Sequence, residues 1–187
     1  LWGFPGDRTA APPYRVTVMR DFVYDLETYP NVFTMAVEHA EAPLRWYFEI
    51  SDWRNDSRDI IAFLQYLKEN DARMVGFNNL GFDYPVLHTL IRMGNSNANT
   101  LYQKAMAIIG SQSDEDGDRW AHQVKPSDQF VTQLDLFKIH HFDNKARATS
   151  LKVLEFNMRS DNISDLPFKV GTTLTRDQVE VLKRYNQ

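Results

Sequence analysis

Cysteine is absent from the chain, which removes disulfide frameworks, cysteine-ligated zinc and thiol nucleophiles, and fits a reducing compartment. No apolar run approaches the ~20 residues that a membrane-spanning helix needs, and nothing resembles a signal peptide. The reading is a soluble protein of the cytoplasm, that of a host cell if the source is viral, with no membrane partner. An excess of positive charge is lacking too. Lys and Arg total 21 against 25 Asp and Glu, a formal net charge of -4. No overall field therefore draws in nucleic acid, and a polyanionic partner has to be held by local patches or by metal ions. There is no phosphate-cradling glycine-rich loop and no His-Glu-x-x-His, which sets aside nucleotide kinases and zinc proteases. Internal repeats are missing as well.

What is present suffices for one ordinary domain: 187 residues, 43% of them apolar, can bury a proper core. Residues 1–18, "LWGFPGDRTAAPPYRVTV", carry Gly and Pro punctuation and no apolar period. They read as an N-terminal arm or a non-native extension, with Met19 a candidate start and residues 19–187 the domain. The final "DQVEVLKRYNQ" stops in mid-helix without Gly or Pro to end it, so the domain is expected to be cut short at its C-terminus.

The pattern from Asp21 to Glu27, then "NVFTMAVEHA" and "LRWYFEI", predicts three strands in hairpin succession, separated by "TYP" and "EAP". In "SRDIIAFLQYLKEN" the period becomes helical, with Ile60, Ile61, Phe63, Leu64 and Leu67 as the apolar face and Ser57 as the expected N-cap. "RMVGFN" is a fourth strand, and "DYPVLHTLIRMG" a helix with Pro85 in its first turn and Gly94 past its end. Residues 97–110 suit a third helix, "QFVTQLDLF" a fifth strand and "LKVLEFNM" another helix. Thr175 and Gln178 have capping-box spacing for a last helix from about Arg176. A strand meander followed by alternating helices and strands predicts an α/β fold, a mixed sheet covered by helices.

One stretch departs from core logic. "FVYDLETYP" starts as a strand and then places Asp25 and Glu27, two residues apart, on one face. Like charges so close either raise a pKa or share a cation. A third acid, Asp83, opens the helix after the fourth strand, within "GFNNLGFDYPVL", where a strand-loop-helix turn can aim it at the same spot. The acid cluster of "GSQSDEDGDRW" reads as a solvated loop, and Asp135 as a hydrogen-bonded structural residue inside an apolar strand. His140, His141 and the basic residues of "KIHHFDNKARATS" read mainly as a solvated loop, with a phosphate patch as the alternative.

On these residues the chain resembles the tyrosine variant of the DEDD superfamily, the proofreading 3′-5′ exonucleases. Asp25-Leu26-Glu27 is similar to their first motif, Asn79-Leu80-Gly81-Phe82-Asp83 to the second, and Tyr185 to the tyrosine of the third, Tyr-x-x-x-Asp. The segment "LDLFKIHHFDNKARATSLKVLEFNM" resembles the exonuclease domains of phage-type DNA polymerases. The resemblance implies an RNase H-like mixed five-stranded sheet, a three-strand antiparallel meander plus two parallel strands, flanked by helices. It also implies two divalent cations, Mg²⁺ or Mn²⁺, held by Asp25, Glu27 and Asp83. Asp25 would bridge them, Glu27 would bind on the nucleophile side, Asp83 would act through water, and Tyr185 would orient the attacking water. The fourth acid of the pattern would stand four residues after Tyr185, at position 189, beyond Gln187.

The same resemblance implies a single-stranded or frayed 3′ terminus of DNA as substrate, gripped by stacking and phosphate contacts, and a DNA polymerase domain or subunit as partner. Thr28, Tyr29, Asn79 and Phe82 are the candidate substrate-binding residues, with Phe33 beside them. Two alternatives stay open: a catalytically inactive RNase H-like module that binds nucleic acid or builds a polymerase, and a nuclease of this fold acting internally or on RNA.

Overall fold

The computed structural model describes residues 20–113, 120–140, 150–153 and 166–185. Residues 1–19, the acid cluster at 114–119, the basic segment at 141–149 and most of the helix expected in "LKVLEFNM" lie outside the described residues.

Strands β1 (Asp21–Tyr29), β2 (Val32–His39) and β3 (Arg45–Ser51) form an antiparallel meander. Strands β4 (Arg73–Gly76) and β5 (Thr132–Asp135) add in parallel beside β1, giving the order β3-β2-β1-β4-β5. This is the RNase H-like five-stranded mixed sheet expected from the sequence, with helices packed on it.

Alternation along the strands sorts the residues onto two unlike faces. Phe22, Tyr24 and Leu26 of β1 turn to one side, joined by Phe33, Met35, Val37, Phe48 and Ile50, and make the main core. Against it lie α1 (Ser57–Glu69), α2 (Asp83–Met93) and α3 (Ala98–Ser113), which contribute Ile60, Leu64, Leu87, Leu90, Leu101 and Ile108 among others. Each fully buried side chain of this size stabilises the fold by roughly 1.5–3 kcal/mol. The opposite face carries Asp25, Glu27, Thr34, Tyr47 and Glu49, in register across the meander. At its β1–β2 turn end sits a smaller core of Tyr29, Val32, Leu174, Val179 and Leu182, built by α5 (Arg176–Tyr185).

Helix ends follow local chemistry. Pro85 lies in the first turn of α2, where its missing N–H costs nothing, and Gly94 closes the helix at φ 71. Thr175 and Gln178 form the reciprocal capping box of α5: the Thr175 N–H donates to Gln178 Oε1 at 2.9 Å and the Gln178 N–H to Thr175 Oγ1 at 3.4 Å. Ser57, the expected N-cap of α1, is instead its first residue, and Asp56 stands at the cap. The Asp56 carboxylate is committed elsewhere, accepting the Glu49 N–H at 2.9 Å and pairing with Arg54 at 2.7 Å, so Asn55 Oδ1 accepts the Ser57 N–H at 3.0 Å. The fifth strand is shorter than its apolar run. Asp135 accepts the Phe137 N–H at 3.0 Å and turns the chain into the short helix α4 (Leu136–His140). Among the described residues, no helix is long and apolar enough to cross a membrane.

Candidate active site

Parallel pairing of β1 with β4 runs from Asp21↔Arg73 to Val23↔Val75, and β4 ends one residue later at Gly76. The second half of β1 therefore runs on past the point where β4 leaves the sheet. Asp25 and Glu27 stand on this overhang, paired only with Ala36 and Thr34 of β2. The departing chain makes the loop 77–82 and returns as α2, whose first residue is the buried Asp83. Crevices beyond the carboxyl ends of parallel strands are the usual ligand position in α/β sheets.

The charge of Asp25 reaches Glu27 and Asp83, and that of Glu27 reaches Asp83. Burial pushes Glu27 up to about 8, with the charge of Asp25 adding to it. Asp25 rises to about 6, chiefly through burial, while the Leu26 backbone N–H works the other way. Solvent still reaches Asp25 on this face, so protein surrounds its carboxyl without sealing it from water, and hydration tempers the rise. Asp83 is raised by burial first and then by the charges of Asp25 and Glu27, against the helix-terminal N–H of its own residue. Among the described residues, no lysine or arginine is one of the main groups that shift these three. A carboxylate cluster without a counter-charge is the electrostatic complement of a divalent cation.

The donor set fits Mg²⁺ or Mn²⁺ in kind, since Mg²⁺ prefers one or two carboxylates plus waters and substrate oxygens to an all-protein cage. Among the described residues, no group of three or more His, Cys, Asp and Glu side chains is placed so that it could hold a metal ion by itself. Asp25, Glu27 and Asp83 are coupled neighbours rather than a closed ligand set.

The loop that delivers Asp83 is pinned from β5. Asp135 accepts backbone N–H groups from Asn78 at 2.9 Å and Leu80 at 3.3 Å, besides that of Phe137, which gives it the structural role expected from its apolar strand. Asn78 takes the left-handed conformation, φ 57, which asparagine tolerates. Gly76 is required by close approach: a Cβ there would stand 2.8 Å from the Cβ of Asn79.

Asn79 itself is fully buried. Its Nδ2 donates to Gln133 Oε1 at 3.1 Å, an oxygen that also accepts from the Tyr24 hydroxyl at 3.0 Å, while Asn79 Oδ1 has no partner. The structure thus ties this residue to the neighbouring strand. Phe82 stands at the N-cap of α2, half-buried against the main core. Thr28 faces that core and is buried, and Phe33 is buried in it.

Tyr29 points to the carboxylate face but lies in the small core, 1% exposed, its hydroxyl donating to the Phe168 carbonyl at 3.1 Å. Its ring is packed among side chains of α5 rather than presented for stacking. Burial raises Tyr29 to about 12, and the charges of Glu27 and Tyr185 both reach its hydroxyl. Tyr185, on the last turn of α5, is therefore on the Glu27 side of the sheet.

Two residues of this face escaped the motif reading. Glu49 is buried and shares a row with Glu27 through Thr34, accepting the Ser51 hydroxyl at 2.7 Å. Tyr47 has a buried hydroxyl without a partner, and Lys183 of α5 lies 5.0 Å from its ring centre. The signal was an acid inside the apolar run "RWYFEIS", visible once cross-strand register is known.

Comparison of the chain with protein-family models, with curated proteins and with solved structures finds no match.

Proposed function

We propose that this chain is a metal-dependent 3′-5′ exonuclease domain, hydrolysing phosphodiesters at single-stranded or frayed DNA ends as the proofreading partner of a DNA polymerase. The observation that carries the reading is that the charge of Asp25 reaches both Glu27 on its own strand and Asp83 at the start of α2, with no cationic side chain of the described residues among the main groups acting on the three.

A phosphodiester is an anion that repels nucleophiles, and its hydrolysis builds charge on the attacking and leaving oxygens. Divalent cations held by Asp25, Glu27 and Asp83 would supply the opposing charge at both oxygens. The chain's own contribution is to bind and orient. Asp25 and Glu27 offer their oxygens from one rigid strand, Asp83 faces them from a helix N-terminus, and Tyr185 would hold the attacking water by its phenol oxygen.

The test is a gel time course of 5′-labelled single-stranded DNA with the chain and Mn²⁺, run beside Asp25→Ala. The expected result is a ladder shortening from the 3′ end. The variant should be at least ~100-fold slower, since even the partners of metal ligands cost 10–100-fold when removed, with an unchanged circular dichroism spectrum. Equal cleavage by the variant would refute the site, and internal fragments would refute the exonuclease.

A further inference from the structure

The β1–β2 turn ends the strand that carries Asp25 and Glu27, and it grips a segment remote in sequence. Asn31, half-buried in that turn, aims its side-chain amide at the backbone of Leu174. Its Nδ2 donates to the Leu174 carbonyl at 2.9 Å, and its Oδ1 accepts the Leu174 N–H at 2.9 Å. A residue exchanging both backbone bonds with one partner is the hydrogen-bonded pair of an antiparallel ladder, so the amide acts as a strand edge one residue long. Earlier in the same segment the turn takes a second hold, where the Tyr29 hydroxyl donates to the Phe168 carbonyl at 3.1 Å. The turn's own backbone does not call for asparagine: the non-glycine residues with positive φ among those described are Asp71 and Asn78, not Asn31.

What this grip fixes is α5. Leu174 is followed at once by Thr175, whose capping box with Gln178 starts the helix at Arg176. Anchor, cap and helix are consecutive, so no slack separates the turn from α5. Val179 and Leu182 then set the rotation of the helix about its axis by entering the small core beside Tyr29 and Val32. With origin and rotation both set, a helix of 10 residues, rising about 1.5 Å for each, delivers Tyr185 to one place. That place is on the Glu27 side, since the charges of Glu27 and Tyr185 both reach the Tyr29 hydroxyl.

We infer that Asn31 is a positioning residue for the proposed active site: its amide seats α5 on the β1–β2 turn and thereby sets Tyr185 on the Glu27 side of the sheet. The effect on cleavage rests on the nuclease reading, and the seating of α5 does not. Two hydrogen bonds in a half-buried setting contribute modestly to the stability of the whole domain. Their loss should therefore move α5 rather than unfold the chain.

The experiment has two arms. In the first, the absence of cysteine lets nitroxide labels be placed at Ala62→Cys on α1 and Arg184→Cys on α5, both exposed, and electron spin resonance measures the distance between them in EDTA. The chain with Asn31 should give one narrow distance distribution, and Asn31→Ala should broaden or shift it with an unchanged circular dichroism spectrum. Asn31→Asp keeps the acceptor for the Leu174 N–H but sets an oxygen against the Leu174 carbonyl. It should also disturb the distribution, and it carries the test should the alanine variant fail to fold. In the second arm, rates of single-stranded DNA cleavage with Mn²⁺ are compared in a cycle with Tyr185→Phe. Asn31→Ala should slow the unmodified chain by about tenfold to 100-fold. It should slow Tyr185→Phe by less than about twofold, because a residue that works through the tyrosine hydroxyl then has nothing left to misplace. An unchanged distribution in the Asn31 variants overturns the inference, and so does an equal loss of rate in both backgrounds, the mark of a merely structural role. The two readings fail separately: a disturbed distribution in a chain that cleaves nothing would sink the nuclease and leave the seating of α5 standing, and cleavage with an unchanged distribution would do the reverse.

Discussion

Glu27 holds its proton to about pH 8 in the folded chain, and burial raises Asp25 in the same direction, tempered by hydration, while both release it near 4 when unfolded. Across that window the folded state binds more protons than the unfolded one, so these residues make stability fall as pH rises, and the loss is complete above about 8. In EDTA the melting temperature should therefore be lower at pH 8.5 than at pH 5.5. Glu27→Gln should flatten that slope and raise the melting temperature at pH 8.5. Added Mg²⁺ should stabilise the unmodified chain much more at pH 8.5 than at pH 5.5, because protons and metal compete for the same oxygens. Thermal melts over this range check all three, and a Glu27→Gln variant with the slope of the parent would refute the assignment.

At the scale of elements, the loop between β4 and α2 decides where Asp83 stands, and β5 decides the shape of the loop. Asp135→Ala would leave the N–H groups of Asn78, Leu80 and Phe137 without their acceptor. The expected loss is about 2–4 kcal/mol, read by urea melts, together with slower cleavage under the proposed function because Asp83 is no longer fixed. Gly76→Ala should act similarly at about 1–3 kcal/mol, since the new methyl meets Asn79 at 2.8 Å. A parent-like rate in Asp135→Ala would mean that the loop does not position the site.

Local pattern carried this region only part of the way. Alternation was enough to put Asp25 and Glu27 on one face, Pro85 and Gly94 to bracket α2, and Thr175 with Gln178 to start α5. It could not show that Asn79 would be buried by Gln133, 54 residues away, or Tyr29 enclosed by α5. Nor could it show that Asp56 would be claimed by Glu49 and Arg54 before it could cap α1 by its side chain. Each of these depends on a partner remote in sequence or on a competing bond.

Across the whole molecule, the sheet is covered unequally. One face is packed by α1, α2 and α3, whereas on the other the described residues place only the small core of α5, at the β1–β2 turn end. Asp25 is left open to solvent on that face. The same helix that seals Tyr29 and Val32 also carries Tyr185, so packing and chemistry are separable by mutation. Leu182 is fully buried in the small core, and Leu182→Ala should cost about 2–5 kcal/mol and slow cleavage by loosening α5. Tyr185→Phe removes a hydroxyl from a residue 37% exposed and should leave the melting temperature within a degree or two while cutting the cleavage rate. Measured side by side well below either melting temperature, loss of rate in both variants with loss of stability only in the first would place α5 in the catalytic apparatus. An undiminished rate in Tyr185→Phe would reduce α5 to a lid on the small core and leave the three carboxylates to work without it.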